Sequence, residues 1–340
     1  MLERPSLTDA QITQVLSERY RLNIAKITFL PIGYDMQSSV FKVETDTNAN
    51  YFLKAKTSDF NPICAAIPHF LFTNGLTAVV APITTTSGGS WTSCAAFTIM
   101  LYPFIEGNSG MVQGMTLPLW AKFGQVLRRL HQTELPKILA AQLPREHFQP
   151  SAAATMREVN HMLDTLAEVL SEVQHSVAAF WRAQVDKIDR IMQLAEDQGD
   201  SLRTSPPPYV LCHADCHTAN LLIDTEGQLH VVDWDQPILA PRERDLMFVI
   251  GNSIDGVAVG PEAEAAFRLG YGNAQVNAQA VAYYRCEWAI QDLGDFAWRI
   301  FLLPDIGEQT LHDAVRGLKS MFEPGNVIEL ALKSANPPQS

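Results

Sequence analysis

The 340-residue chain is short of positive charge, with 25 lysines and arginines against 37 aspartates and glutamates and a formal net charge of −12. That shortage argues against a protein that grips a nucleic-acid backbone, because clustered lysine and arginine normally supply phosphate binding. It suits a cationic small molecule, although many cytoplasmic enzymes are acidic too. Cysteine is also scarce. Cys64, Cys94, Cys212, Cys216 and Cys286 are odd in number and mostly scattered, which excludes a secreted disulfide framework and points to a reducing cytoplasm. No apolar run approaches the roughly 20 residues needed to span a bilayer. The opening "MLERPSLTDAQITQ" lacks the basic-then-apolar pattern of a signal peptide. The expectation is a soluble cytoplasmic protein with no nucleic-acid or membrane partner and no protein partner implied. One local shortage matters below: between Asp59 and Glu106 there is no carboxylate at all.

What is present is a hydrophobic fraction of 47%, enough for two domains or one two-lobed domain with a sizeable core. "SLTDAQITQVLSERY" reads as an amphipathic helix capped by Ser6 or Thr8. Three strands follow in "AKITFLPIG", "SSVFKVET" and "NYFLKAK", the last two a hairpin across "DTNAN". A short helix or loop covers "FNPICAAIPHFLFTNG", interrupted by Pro62 and Pro68. Two more strands, "TAVVAPITT" and "CAAFTIMLYPF", are separated by the turn-rich "SGGSW". The first hundred residues therefore predict a five-stranded antiparallel sheet with one helix.

Beyond "EGNSG" the pattern turns helical. "LPLWAKFGQVLRRLHQ" carries Leu119, Phe123, Val126, Leu127 and Leu130 on one face. Across 152–197, Met156, Val159, Leu163, Leu166, Leu170, Val173 and Val177 form a core-facing helical stripe with no chemistry in it. "SPPP" breaks the chain before the strand "YVLCHAD", and "NLLID" and "LHVVDWD" form a hairpin over "TEGQ". The fold class expected is α+β and bilobal: a small antiparallel β-sheet lobe over 1–102, a connector over 103–110, and a larger, mainly helical lobe over 111–340. A cleft between two such lobes is where a ligand is expected.

The stretch "LCHADCHTANLL" crowds two cysteines, two histidines and an aspartate into Cys212–His217. Structural zinc takes four ligands, usually as two separated pairs, and here the cysteines are spaced C-x-x-x-C with no second pair at the usual distance. A thiol nucleophile would need a base such as His213 or His217, whereas a small buried cysteine needs nothing. A third reading uses His213, Asp215 and Asn220, spaced H-x-D-x-x-x-x-N as in a phosphotransfer catalytic loop. In that chemistry the aspartate faces the acceptor hydroxyl. The asparagine oxygen meets a magnesium ion on the nucleotide phosphates. A hairpin follows, and its far strand ends at Asp233, where a second metal aspartate is expected.

The strings "LCHADCHTANLLI", "HVVDWDQPILAPRERDLMF" and "FGQVLRRLHQ" resemble the aminoglycoside phosphotransferase family, which has the protein-kinase-like fold. The likeness runs nearly end to end, through "YPFIEG", "YYRCEWAIQD" and "MFEPGNVIELAL". It implies Asp215 as catalytic aspartate with His213 bracing its loop, Asn220 and Asp233 as magnesium ligands, and ATP as phosphoryl donor, with GTP not excluded. Lys54 would contact the nucleotide phosphates, Gly33 would lie in the loop covering them, and Tyr102 and Phe104 would belong to the connector that meets adenine. Asp245 would support the catalytic loop. The implied acceptor is a small cationic molecule, an aminoglycoside or aminocyclitol antibiotic such as spectinomycin. Acids interleaved with aromatics on the late helix suit it, with Glu287, Trp288 and Asp292 as acceptor contacts. Asp235 is a second metal contact or an acceptor contact.

Two departures stand out. The phosphate-covering loop "PIGYDMQSS" has one glycine where protein kinases have three. The helix after Lys54, "FNPICAAIPHFLF", has no glutamate to pair with the lysine, and Pro62 stands about where one would align. Lys54 must use Asp59, a later carboxylate such as Asp233, or the nucleotide alone. A kinase of a small metabolic alcohol (choline, homoserine or a sugar-like compound) and a nucleotide-binding pseudokinase are the alternatives.

Overall fold

A computed structural model describes residues 3–33, 35–57, 60–165, 170–251 and 259–335. It separates into two compact units. The first comprises Met1–Pro144 with His213–Ile238, the second Arg145–Cys212 with Leu239–Ser340.

The first unit opens with α1 (Asp9–Tyr20), started by a capping box in which Thr8 Oγ1 accepts the Gln11 amide and Gln11 Oε1 accepts the Thr8 amide. Strands β1 (Ile24–Leu30), β2 (Ser38–Thr45) and β3 (Asn50–Lys56) precede α2 (Ile63–Thr73), then β4 (Thr92–Cys94) and β5 (Phe97–Pro103) complete an antiparallel sheet of order β1-β2-β3-β5-β4. Side chains alternate across a strand, so Phe41, Val43, Leu53, Ala55, Ile99 and Leu101 bury one face against Leu7, Ile12, Val15 and Leu16. Lys54 and Lys56, displaced by one residue, share the other face.

The sheet has the five strands expected, but one of them is a different segment. "TAVVAPITT" is not a strand. Pro82 removes a donor from its middle, and the segment makes two bonds with Val231, Val231 N to Ala78 O (2.7 Å) and Val80 N to Val231 O (3.1 Å), and one with Leu101, Ile83 N to Leu101 O (2.7 Å). Thr92–Cys94, just past the "SGGSW" turn, fills the sheet position instead, and Cys94, expected to open the next strand, ends this one. Past β5 come β6 (Gly107–Ser109), α3 (Gly110–Gln113), α4 (Leu117–His131) and α5 (Lys137–Ala140). Pro68 lies inside α2, whose mostly apolar face is buried.

The chain continues in the second unit with α6 (Ala153–Thr165), α7 (Glu172–Ala183), α8 (Val185–Thr204) and β7 (Tyr209–Cys212). The stripe expected along 152–197 is therefore divided. Ser171 and Gln174 form a second capping box that restarts the helix at Glu172. Met156, Val159, Leu163 and Val177 are buried as expected, Leu170 and Val173 are half-buried, and Leu166 lies outside the described residues.

The hairpin β8 (Leu221–Asp224) and β9 (Leu229–Val231) belongs to the first unit, where β6 pairs with β8 in a sheet of order β6-β8-β9. The second unit resumes with β10 (Ile238–Pro241), paired to β7, then α9 (Glu243–Leu246), α10 (Pro261–Tyr271), α11 (Ala278–Ala297), α12 (Glu308–Ser320) and α13 (Val327–Ala335). Helix α11 is its centre, packed by α6, α8, α12 and α13. The approach to α6 is close: a Cβ on Gly294 would lie 2.5 Å from Ala152 Cβ. Phe148, Tyr283 and Tyr284 form a buried aromatic cluster beside it, with centroids 5.1–6.4 Å apart. Among the described residues no helix is long and apolar enough to cross a membrane.

Candidate active site

The segment entering β8 is a loop held by its own side chains. His213 is fully buried; its Nδ1 accepts the Asp215 amide (3.3 Å), so the ring proton sits on Nε2, which donates to Val232 O (2.9 Å). Its ring also meets Trp234 edge-on, with centroids 4.5 Å apart. One side chain thus ties the Asp215 turn to the turn carrying Asp233, and Val232 N adds a bond to Asn220 O (3.0 Å). Ala214 and Asp233 both have positive φ, at 75° and 63°. Non-glycine residues in that region cost of order 1–3 kcal/mol each and persist where the surroundings dictate them.

Asn220 Nδ2 donates to the Asp215 backbone oxygen (2.8 Å) and to its Oδ2 (3.0 Å). This brings together the two residues that the spacing in "HADCHTAN" pairs. It also leaves Asn220 Oδ1, at the other corner of the amide, as the atom able to meet a cation. His217 Nδ1 accepts the Ala219 amide (3.3 Å), which puts its ring proton on Nε2, 3.4 Å from Asp215 Oδ1. A hard divalent ion takes carboxylate and carbonyl oxygens, and Asn220 Oδ1 with the half-exposed Asp233 carboxylate is a donor set of that kind.

Lys54 lies on the sheet face opposite the α1 core, and its ammonium donates to Asp233 Oδ1 and Asp235 Oδ2, both at 2.8 Å. Burial alone would pull this ammonium down, but Asp233 and Asp235 outweigh it and hold Lys54 well above the ordinary lysine value. Of the partners open to Lys54 in the sequence, these aspartates are the ones it takes; Asp59 lies outside the described residues. Lys56, two residues on and therefore on the same face, donates to the same Asp235 Oδ2 (2.8 Å) and lies 3.1 Å from Asp35 Oδ2. Burial would raise the Asp235 carboxyl, but the two lysines bring it below its usual range. Sequence reasoning missed Lys56 and Asp35, although the i, i+2 spacing of the lysines and the spacing Asp35-x-x-Ser38 were signals for them.

Residues 35–38 of the loop expected over the phosphates are held by Asp35. Asp35 Oδ1 accepts the Gln37 amide (2.8 Å) and Oδ2 the Ser38 hydroxyl (2.5 Å), an Asx turn. Burial would raise the Asp35 carboxyl, yet Lys56 and these bonds draw it down to about 2. Gly33 needs its residue type for a φ of 91°. In the connector, the Phe104 amide is bonded to Asn50 O (3.3 Å) and its ring carries the Lys42 ammonium 4.5 Å from the centroid. The Tyr102 hydroxyl meets Met100 Sδ (3.4 Å), and burial first, then nearby carboxylates, push its phenol well up against the opposing pull of Lys54.

In the second unit, Glu287 is buried and both its oxygens are bound, Oε2 by Arg244 and Oε1 by Ser151 Oγ (3.0 Å). That favours a role in holding α9 against α11 over contact with an acceptor. Trp288, half-buried, packs edge-on against Phe248 (5.2 Å), and Asp292 is half-buried one turn further on. Asp245 is fully buried on α9. Both cysteines of the "CHADCH" cluster are buried. Burial, then Asp245, holds the Cys212 thiol well above its ordinary value, a protonated group beside the carbonyls of Ala240 and Pro241.

A family model described as a phosphotransferase enzyme family matches residues 28–288. A crystal structure of spectinomycin phosphotransferase with ADP and spectinomycin superposes with a TM-score of 0.88 at 28% identity, over 97% of this chain and 99% of that one. The AMP-bound form of spectinomycin phosphotransferase superposes at 0.82 and 27% identity, over 98% and 100%. A choline kinase of Streptococcus pneumoniae, at 16% identity and a TM-score of 0.54 over 92% and 99%, shares the fold. An uncharacterised protein of Synechocystis sp. is 25% identical over 178 residues, which is 51% of this chain and 43% of that protein. The kinase-like fold, the catalytic-loop spacing and the family match converge, and the chain belongs to the phosphotransferase enzyme family.

Proposed function

We propose that the protein transfers the γ-phosphoryl group of ATP, or of GTP as an alternative donor, to a hydroxyl of spectinomycin or a closely related aminocyclitol. The observation that carries this reading is the Asp215–Asn220 arrangement at the head of β8, in a chain similar over nearly its whole length to a spectinomycin phosphotransferase. Asp215 accepts the acceptor's hydroxyl proton, and His213 and Asn220 fix its backbone and carboxylate. Lys54 engages the nucleotide phosphates. Asn220 and Asp233 are the residues that would hold magnesium, which supplies charge neutralisation on the phosphates when bound. Asp292 and Trp288 of α11 are residue types, a carboxylate and an aromatic face, that suit an ammonium-bearing ring.

Lys54 has two carboxylate partners without a helix glutamate, which supports turnover over binding alone. Purified protein, ATP or GTP, magnesium and a panel of aminocyclitols, aminoglycosides and small metabolic alcohols test the proposal by ADP or GDP release. Turnover with spectinomycin above the alcohols is expected. Turnover only with an alcohol, or with none of the panel, contradicts it.

A further inference from the structure

The structure assigns to Asp235 a positioning role: it replaces the missing helix acid as the carboxylate that holds Lys54, and Lys56 links it to the phosphate-covering loop. This inference rests on the phosphotransferase reading of the site. It starts from the lack of any acid between Asp59 and Glu106, which leaves α2 without a carboxylate for Lys54. Helix α2 contributes a thiol in its place. Cys64, in its first turn, donates to the backbone oxygen of Asp235 (2.9 Å), so the helix steadies the loop that carries the acid and does not supply the acid itself.

Asp235 is better suited to holding the lysine than to meeting an acceptor. Its side chain is 19% exposed, against 45% for Asp233, and a single oxygen, Oδ2, takes both ammonium groups at 2.8 Å. Charge counting separates the two aspartates. Asp35, Lys56, Asp235 and Lys54 form an unbroken chain of ion pairs with two negative and two positive charges. Asp233 is the extra carboxylate, bonded to Lys54 at one end of the chain and free to serve another cation. When Asp233 does so, Lys54 keeps Asp235 as its buried partner and stays oriented toward the phosphates. At the other end, Asp35 also closes the Gln37–Ser38 turn, so the same chain sets the loop over the nucleotide. Two lysines on one strand face, spaced i and i+2, are what let a single aspartate do this.

A positioned cation acts mainly on charge that develops in the transition state, so its loss falls on turnover and nucleotide affinity and spares the acceptor. The test compares full-length wild type with Asp235→Asn, which keeps the shape and removes the charge, and with Lys56→Met. The acceptor is whichever compound the panel shows to be phosphorylated. Asp235→Asn is expected to lower kcat about 100-fold, the scale of a misplaced catalytic group. Acceptor KM should stay within about twofold of wild type and Mg·ADP binding by calorimetry should weaken about tenfold. Lys56→Met should show the same split at about a tenth of the size in kcat. Unchanged kcat and unchanged Mg·ADP affinity in Asp235→Asn overturn the inference, and so does a loss confined to acceptor KM, which would make Asp235 an acceptor contact. A wild type silent on the whole panel contradicts the functional reading instead, and the Mg·ADP comparison then still decides the role of Asp235.

Discussion

Asp215 receives a hydrogen bond from Asn220 Nδ2 on Oδ2 and faces the His217 ring proton on the side of Oδ1. A carboxylate arranged in this way is oriented before any acceptor arrives, and in the proposed reaction general-base catalysis by it contributes about 10²–10⁴-fold. Asp215→Asn should therefore lower kcat by about 10³-fold while leaving Mg·ADP affinity within about threefold in calorimetry. The histidine two positions earlier acts through it. His213→Phe keeps an edge-on ring against Trp234 but loses both the Nε2 donor to Val232 and the Nδ1 acceptor for the Asp215 amide. A fall in kcat with acceptor KM unchanged is expected from steady-state kinetics, since the loop carrying the proposed base is loosened and the proposed acceptor contacts are not. These two residues were legible in the sequence because the H-x-D-x-x-x-x-N spacing is local. Asp235's partners were not, since a contact between residues 54 and 235 depends on the whole first unit closing.

The elements read from the sequence succeeded where the signal was a local period and failed where neighbours decided. β2 and β3 were clear from alternation across a polar turn, and α1 from its cap. Residues 77–85 are as apolar as a strand, but Pro82 and the pull of two partners, Val231 and Leu101, keep them irregular. The long stripe over 152–197 concealed a restart at Ser171, whose capping box with Gln174 outweighs the continuity of apolar spacing. Ser171→Ala should cost about 1 kcal/mol in chemical denaturation, the usual worth of such a cap. Between α6 and α11 the close approach at Gly294 leaves no room for a methyl group, because its Cβ would meet Ala152 Cβ at 2.5 Å. Gly294→Ala should destabilise the protein by about 1–3 kcal/mol, and a denaturation midpoint equal to wild type would contradict the packing described.

At the scale of the molecule, buried titratable groups set the pH window of stability. Burial raises the Cys64 thiol to about 11, with Asp235 adding to it, and raises Cys286 to about 12. Burial pushes the hydroxyls of Tyr283 and Tyr284 up in the same direction. A group whose pKa is higher in the folded state holds its proton more tightly there, so the stability it contributes is complete below the unfolded value and is lost as pH rises toward the folded one. The thiols unfold with values near 8.5 and the phenols near 10, so Tm should fall steadily from about pH 9 upward. Asp35 works in the opposite sense: its carboxyl is drawn to about 2, so its contribution holds above about pH 4 and disappears as pH falls toward 2. Scanning calorimetry from pH 3 to pH 11 checks both limbs, and a flat Tm above about pH 9 would contradict the buried, protonated state of these thiols and phenols.

The central claim, that the chain moves a phosphoryl group from a nucleotide to the hydroxyl of an aminocyclitol with Asp215 as base, is tested most directly by mass spectrometry of the acceptor. Spectinomycin incubated with the protein, ATP and magnesium should gain the mass of one phosphoryl group, and the same mixture with Asp215→Asn should leave it unmodified over the same time. Spectinomycin recovered unmodified from the wild-type reaction with both ATP and GTP, or modified equally well by the Asp215→Asn variant, would contradict the account.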